Sequence, residues 1–524
     1  MLQIQKPKSC RKMIRSNKQK YFFPLLFLLF SIFAYCQQVE NYDLVILNGK
    51  ILDGTGADAY YAALGINDDN IVRIERDTIV KLSGKKVVNA KGFTITPGFI
   101  DTHAHGDPLE TPDFKNFIAM GVTTISLGQD GFSPGLDNLS QWAHNVNGAT
   151  PAVNIVMFAG HNSLRHQAGI NFDSIPREED MRKMELLLKD AMAAGAFGMT
   201  TGLEYSPGEF SKQKELQNLA KIIGDHNGII MSHMRNEDDD DVENSIKELL
   251  LQGEFCPVHI SHIKVVYGKG ETRAKEILNI IDEARRSGIM VTADFYPYTA
   301  SYTGIAILFP DWAKQPHSFD EVVKTRRPEL ADFLRKKVKQ RNGPEATLIG
   351  TGSFKSKTLA GVALALNKPF EDVLIDDIGP YGAGAAHFIM DEVLQRTFLT
   401  HAFINVCSDG SPAMRHPRGY GSFPKIIETY VLQENLLSLE EAVYKMTGLP
   451  AATLQLKNRG RIAENYKADI LIFKPEELRE YATYEDPHLL AGGMHYVIVN
   501  GKIAKDASNF TATRNGKVLH KMKQ

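Results

Sequence analysis

Between residues 97 and 450 the chain repeats one texture: a short apolar run, often ended by a polar or ionisable residue, then a longer amphipathic or loop stretch. The runs are Phe99–Asp101, Val122–Leu127, Asn154–Ala159, Gly198–Gly202, Ile229–His233, Val258–His262, Val291–Phe295 and Ile404–Ser408. Met181–Gly195, Ser245–Gln252 and Ala274–Gly288 place apolar residues at helical spacing between some of them. Short continuous apolar runs alternating with helices predict a parallel sheet, because a strand covered on both faces shows no polar side. Eight such units predict an α/β fold, a TIM-like (β/α)8 barrel over 97–450. A doubly wound open sheet is the structural alternative, but the chain has no Gly-rich phosphate loop to go with it.

Outside this region the period is two. Tyr42–Asn48, Ala62–Ile66 and Ile71–Ile74 near one end, and Ala468–Phe473 and Tyr496–Asn500 near the other, alternate apolar and polar residues around Gly and Asp turns. The turn Asn48-Gly49-Lys50 recurs as Asn500-Gly501-Lys502. Segments 37–96 and 451–524 are therefore expected to form one small β-sandwich domain, with the chain entering and leaving it on either side of the barrel.

The first 36 residues fit neither pattern. Seven Lys and Arg residues from Lys6 to Lys20 precede an apolar run, Tyr21–Phe33, that leads through Ala34-Tyr35-Cys36 to polar Gln37-Gln38. A basic region, a short apolar stretch and a small-residue exit predict a secretory signal peptide, and hence a periplasmic or secreted protein. The apolar run is shorter than the roughly 20 residues of a spanning helix. A lipid anchor on Cys36 is the lesser alternative, since Tyr35 is bulky for such a site.

Composition narrows the partner. The 524 residues are 43 % hydrophobic and 23 % charged with a net charge of −2, an ordinary globular balance with no basic patch for nucleic acid. A small molecule is expected instead. Beyond the leader only Cys256 and Cys407 remain, both in apolar runs, so buried thiols are expected rather than a disulfide framework.

The candidate chemistry lies at the ends of the apolar runs. His103 and His105, two apart just past the first run, project to one side. Ser232-His233 and Ser261-His262 end two later runs, and Ser408-Asp409 ends the last. In a barrel the C-terminal strand ends share one mouth. Four imidazoles and a carboxylate there are a donor set that zinc accepts.

With these residues in place, the chain resembles the amidohydrolase superfamily, and within it the D-aminoacylase or N-acyl-D-amino-acid deacylase family. The motifs carrying the resemblance are Thr96–His105, Gly160–Arg165, Gly202–Gly208, Ser232–Glu237, Ile260–Lys264, Tyr296-Pro297-Tyr298, Ser408-Asp409-Gly410 and His416-Pro417-Arg418. The resemblance implies hydrolysis of N-acyl-D-amino acids, or of dipeptides containing a D-residue, by hydroxide activated on one or two divalent ions. Zinc is expected, with manganese or iron as alternatives. It implies His103 and His105 as ligands of one ion, His233 and His262 of the second, Asp409 as the acid/base, and Lys264, Tyr296 and Arg418 as substrate contacts. At one position the chain departs from the family: Asp130 stands where those enzymes carry a metal-binding cysteine. Glu204, ending the fourth run, is expected as the bridging ligand in preference to Asp130. A cyclic amidase of the dihydroorotase or hydantoinase type and an exported, non-catalytic binding protein are the alternatives.

Overall fold

The computed structural model describes residues 41–77, 80–507 and 509–521. The expected signal peptide lies outside the described residues. Eight parallel strands form the central layer: β1 (Phe99–Asp101), β2 (Val122–Leu127), β3 (Asn154–Met157), β4 (Gly198–Gly202), β5 (Ile229–His233), β6 (Val258–Ile260), β7 (Val291–Phe295) and β8 (Ile404–Val406). Each coincides with a run recognised in the sequence.

Register carries the strands round a ring. Asp101 pairs with Ile125, Ile125 with Ile155, Thr201 with Ser232, Ser232 with Ile260, Ile260 with Ala293, and Phe295 with Val406. β3 continues after Phe158 as Ala159–Gly160, which pairs with β4. Past the strand ends Ala104 bridges Gly410, and the amides of Asp409 and His105 donate to the carbonyls of His103 and Gly410, both at 2.8 Å. The last strand thus meets the first, and the residues that close the ring are those that carry the chemistry. Outside it, Phe99, Ile125, Ile155, Met199, Ile230 and Val258 join the helices in one apolar core. Inside, Ile100, Val156, Phe197, Ile229 and Met231 meet Ala451 and Leu454.

The terminal segments share one eight-stranded sheet. Thr94–Pro97 runs antiparallel to Ile470–Phe473, placing Ile95 opposite Ile472, and Asn41–Ile51 lies beside Thr94–Pro97. Ile46, Leu64, Ile95, Ile470 and Ile498 are buried together beneath it. Cys256 and Cys407 are buried and free. No helix among the described residues is long and apolar enough to cross a membrane.

The stretch between β7 and β8 holds a unit absent from the sequence reading. Ala300–Gly304, Gly384–Phe388 and Thr347–Ile349 form an antiparallel sheet, backed by the helix Phe319–Gln340 and an apolar core of its own that includes Leu308, Leu330, Leu334 and Leu374. Because it is inserted before the last strand, it stands over the barrel mouth and supplies one wall of the cavity there.

Candidate active site at the barrel mouth

His103 is fully buried, and neither of its ring nitrogens has a hydrogen-bond partner among the described residues. Its Nε2 nevertheless lies 3.2 Å from Asp130 Oδ1 and 3.7 Å from Asp409 Oδ1. His105 Nε2 is 3.2 Å from Asp409 Oδ1 and 3.5 Å from Asp130 Oδ2. From the other side, His233 Nδ1 and His262 Nε2 face each other at 3.0 Å and lie 3.7 and 3.3 Å from Asp130 Oδ1. Three groups that could each hold an ion emerge among the described residues: His103, His105, Asp130 and Asp409; Asp130, His233 and His262; and Glu204, His233 and Glu237. Asp130 belongs to the first two and Glu204 to the third.

The geometry places Asp130, rather than the expected Glu204, among all four histidines. The Glu204 carboxylate reaches one of these histidines, His233 Nε2 at 3.0 Å, whereas Asp130 stands within 3.7 Å of all four. The reason is local. In Gly128-Gln129-Asp130-Gly131 the φ angles of Gly128, Asp130 and Gly131 are +85°, +53° and +79°, a sharp turn that folds the Asp130 side chain back over the mouth. A Cβ on Gly131 would come within 2.7 Å of Asn162 Oδ1, so this turn requires glycine there. His262 and Asp409 also take left-handed backbone, at φ +37° and +48°. Such strain in bulky or charged residues gathers where geometry matters more than local comfort.

The charge pattern suits cations. Burial opposes ionisation of Asp130 and Asp409, yet His103 beside the first and Arg418 beside the second hold both carboxyls well below their usual range. Burial likewise opposes protonation of His233, but Glu237, Asp130 and Glu204 together push it up to about 10. A buried cluster in which imidazoles crowd around carboxylates attracts positive charge, and a divalent ion is the natural neutraliser.

Around this centre a second layer fixes the imidazoles. Lys264, expected at the substrate, lines the cavity, and its Nζ donates to Glu237 at 2.7 and 2.8 Å and lies 2.7 Å from His262 Nδ1. Asp294 accepts from the His262 amide and from Thr102 Oγ1, both at 2.5 Å, and sits 2.9 Å from His259 Nε2. Neither Asp294 nor His259 was singled out from the sequence, although an acid within the apolar run Val291–Phe295 was a signal. Arg418 Nη1 lies 2.9 Å from Asp409 Oδ2, and its Cζ is 4.6 Å from the centre of the Tyr296 ring. The Tyr296 hydroxyl is buried with no hydrogen-bond partner among the described residues.

Motifs without an assigned job find structural ones. Glu215 accepts from Arg165 at 2.6 and 2.7 Å and lies 2.7 Å from His161 Nε2, a buried tie between two helices. Arg235 pairs with Glu248. In the acidic run that leads to the helix Val242–Gln252, Glu237 and Asp238 are buried.

The site opens into a cavity of about 350 Å³ lined by His105, Asp130, Lys264, Tyr296, Arg341 and Arg418 among others. The insertion contributes Tyr302, Ile307 and Arg341 to this lining.

The sequence profile of the amidohydrolase family matches residues 397–504. The N-acyl-D-glutamate deacylase of Alcaligenes xylosoxydans xylosoxydans is 32 % identical over 488 residues, covering 88 % of this chain and 93 % of the relative. The D-aminoacylase of the same organism is 31 % identical over 506 residues, 92 % of this chain and 98 % of its own. The crystal structure of the N-acyl-D-glutamate deacylase of Bordetella bronchiseptica, complexed with zinc and a phosphonate inhibitor that mimics the tetrahedral intermediate, superposes with a TM-score of 0.80. It is 30 % identical and covers 92 % of this chain and 100 % of that one.

Proposed function

Because the chain belongs to the amidohydrolase family that contains the D-aminoacylases and N-acyl-D-amino-acid deacylases, we propose that it hydrolyses the amide bond of N-acyl-D-amino acids in a metal-dependent reaction. One observation carries the proposal: a single carboxylate, Asp130, lies within 3.7 Å of four imidazoles at the mouth of a cavity that also presents Asp409 and Arg418. The unpartnered ring nitrogens of His103 fit metal ligation, since a buried polar atom left without any partner is costly and a ligated ion removes that cost. His103, His105, Asp130, His233 and His262 would hold one or two divalent ions, zinc foremost, with Asp130 shared and Glu204 beside His233. Oxygen from Asp130 in place of sulfur also suits manganese or iron.

Divalent ions there would supply Lewis acidity, making hydroxide available near neutral pH and polarising the scissile carbonyl. The protein's own groups do the rest. Asp409, held by Arg418, takes the proton of the attacking water on its carboxylate and returns it to the leaving amine. Arg418, whose Nε has no partner among the described residues, and the Tyr296 hydroxyl receive the substrate carboxylate. Lys264 and Asp294 keep His262 in place. The export expected from the N-terminal pattern belongs to the same proposal and is checked by the first residue of protein recovered from the periplasm or medium.

The test is a panel of paired D- and L-N-acyl amino acids and dipeptides, assayed by amine release with metal-loaded and chelated protein. Hydrolysis of D-members that is lost on chelation and restored by metal is expected. Asp409→Asn should lower kcat by at least a hundredfold while leaving metal content unchanged. A metal-loaded chain inert across the panel would sink the proposal.

A further inference from the structure

The sheet of the insertion, in the order Ala300–Gly304, Gly384–Phe388, Thr347–Ile349, has two edges that end differently. On the Thr347–Ile349 side the backbone is covered: the Ile349 amide donates to the Lys357 carbonyl at 2.9 Å, the Ser356 amide donates to the Ile349 carbonyl at 2.8 Å, and Leu348 bridges Thr358. Ala300–Gly304 pairs along one side, with Gly384–Phe388. In such a strand alternate residues turn both backbone groups toward the partner or away from it. The carbonyls of Ala300 and Tyr302 accept from His416 Nε2 at 3.1 Å and Arg418 Nη2 at 3.3 Å, so the outward set is Ala300, Tyr302 and Gly304. The open edge therefore starts at the arginine that receives the substrate carboxylate in the proposed function, and it leads away from there.

It leads into more space. Ser301, Tyr302 and Thr303 line the catalytic cavity, while Thr303 and Gly304 line a second one of about 980 Å³ between residues 203–210, which follow β4, and the insertion. The two cavities share Glu204, Tyr205, Asp238, Thr303 and Ile307, and the Tyr205 hydroxyl lies 3.3 Å from Thr303 Oγ1 where they meet. The first cavity alone, at about 350 Å³, has the size of a small-ligand pocket. In the second, Phe210, Phe309 and Trp312 give apolar recesses, and the ions are matched in pairs, Lys314 with Asp311 and Lys337 with Asp238, both at 3.0 Å. A hydrocarbon chain laid there would strip water from these ions and from the outward amides and return no hydrogen bond. An extended peptide pairs with the amides and sets alternate side chains into the recesses.

Resting on the proposed hydrolysis of N-acyl-D-amino acids, we propose that the acyl group is a peptide, bound in this groove as an added strand antiparallel to Ala300–Gly304, so that the protein removes the C-terminal D-residue from peptides longer than two residues. With the carboxylate at Arg418, the substrate runs back toward its N-terminus as the protein strand runs from Tyr302 to Gly304, which makes the pairing antiparallel. The last amide C–N bond breaks, and one water supplies hydroxyl to the acyl carbon and hydrogen to the leaving amine.

The experiment measures kcat/KM of the metal-loaded full chain on N-acetyl-D-alanine and on N-acetylated peptides in which one, two or three L-alanines precede the D-alanine. A rise of about tenfold or more from the shortest to the longest is expected, the worth of one or two strand hydrogen bonds. Methylating the amide nitrogens of the longest peptide one at a time should cancel the rise at alternate positions. N-octanoyl-D-alanine, extended but without further amides, should gain less than the peptides. Gly304→Pro tests the protein side: Gly304 has φ −64°, which proline adopts, and a Cβ there meets nothing within 4 Å, so the change removes the outward amide hydrogen with no clash at Cβ. It should flatten the length dependence and leave N-acetyl-D-alanine turnover unchanged, whereas Gly304→Ala should keep both. Calorimetric binding of the series to the Asp409→Asn chain reads the same dependence even if none is hydrolysed, an outcome that would defeat only the proposed activity. The methylated peptides decide the matter if Gly304→Pro fails to fold. A flat series in kcat/KM or affinity, an equal gain with the octanoyl compound, or a length dependence that survives every methylation would overturn the assignment.

Discussion

Replacing Asp130 by Asn tests the centre of the site most directly. The carboxylate oxygens lie 3.2, 3.5, 3.7 and 3.3 Å from nitrogens of His103, His105, His233 and His262, so one substitution weakens both prospective ion sites at once. Loss of a residue that merely orients a ligand costs about 10–100-fold in metal affinity, so loss of a shared ligand should cost at least the upper figure. At a free-metal concentration of about 100 Kd, bound ion stabilises the fold by about 2.7 kcal/mol, and after a hundredfold loss the same concentration leaves only about 0.4 kcal/mol. The metal-induced rise in Tm should therefore shrink by a few degrees, given about 2–4 °C per kcal/mol for a domain half this size. Metal content after dialysis against a competing chelator, with melting curves in the presence and absence of metal, reads both quantities. Glu204→Gln, which reaches one of the four histidines, His233, should lose less than tenfold in affinity. If Glu204→Gln strips the metal and Asp130→Asn keeps it, the geometry has been misread and Glu204 regains its place as the bridge.

Two further outcomes follow away from the metal ligands. Glu215→Gln should cost about 3–5 kcal/mol in denaturant unfolding, because it leaves the fully buried Arg165 and His161 facing a neutral amide; stability within 1 kcal/mol of the parent would contradict this. Lys445, buried with its ammonium donating to the carbonyls of His401 and Ile404, is lowered by burial to about 8. The folded chain thus sheds this proton before the unfolded one, whose lysine titrates near 10.5. Between those values the unfolded state binds more protons, and stability rises with pH by up to about 3 kcal/mol from this group. Comparison with Lys445→Met at pH 7.5 and 10 isolates the effect, and parallel pH curves for the two proteins would refute it.

The barrel was legible because its strands bury both faces and so appear as unbroken apolar runs, and the histidines were legible because they end those runs. Asp130 and Glu204 could not be ranked that way, since both follow strand ends, β2 and β4. What separates them is the left-handed turn around Asp130, which depends on how Gly128 and Gly131 pack against Phe158 and Asn162. Lys264 takes the face expected of it, but its pairing with the buried Glu237 could not be read from the sequence. The insertion escaped because its pairings are distant and short: Ala300–Gly304 finds its partner at Gly384–Phe388, and Pro328 interrupts the pattern of the helix Phe319–Gln340. Arg341 is a pocket residue only through that packing, and nothing near it in sequence signals chemistry.

The strand Thr94–Pro97 hydrogen-bonds to Ile470–Phe473, with Ile95 opposite Ile472. During synthesis the first of these leaves the ribosome hundreds of residues ahead of the second, a delay of roughly 20–75 s at 5–20 residues per second. For all of that time one edge of the sheet is an open template, able to pair with another strand. The nascent chain therefore has to be shielded until its last tenth has appeared, and a C-terminal truncation before residue 470 should leave a sticky edge rather than a smaller enzyme.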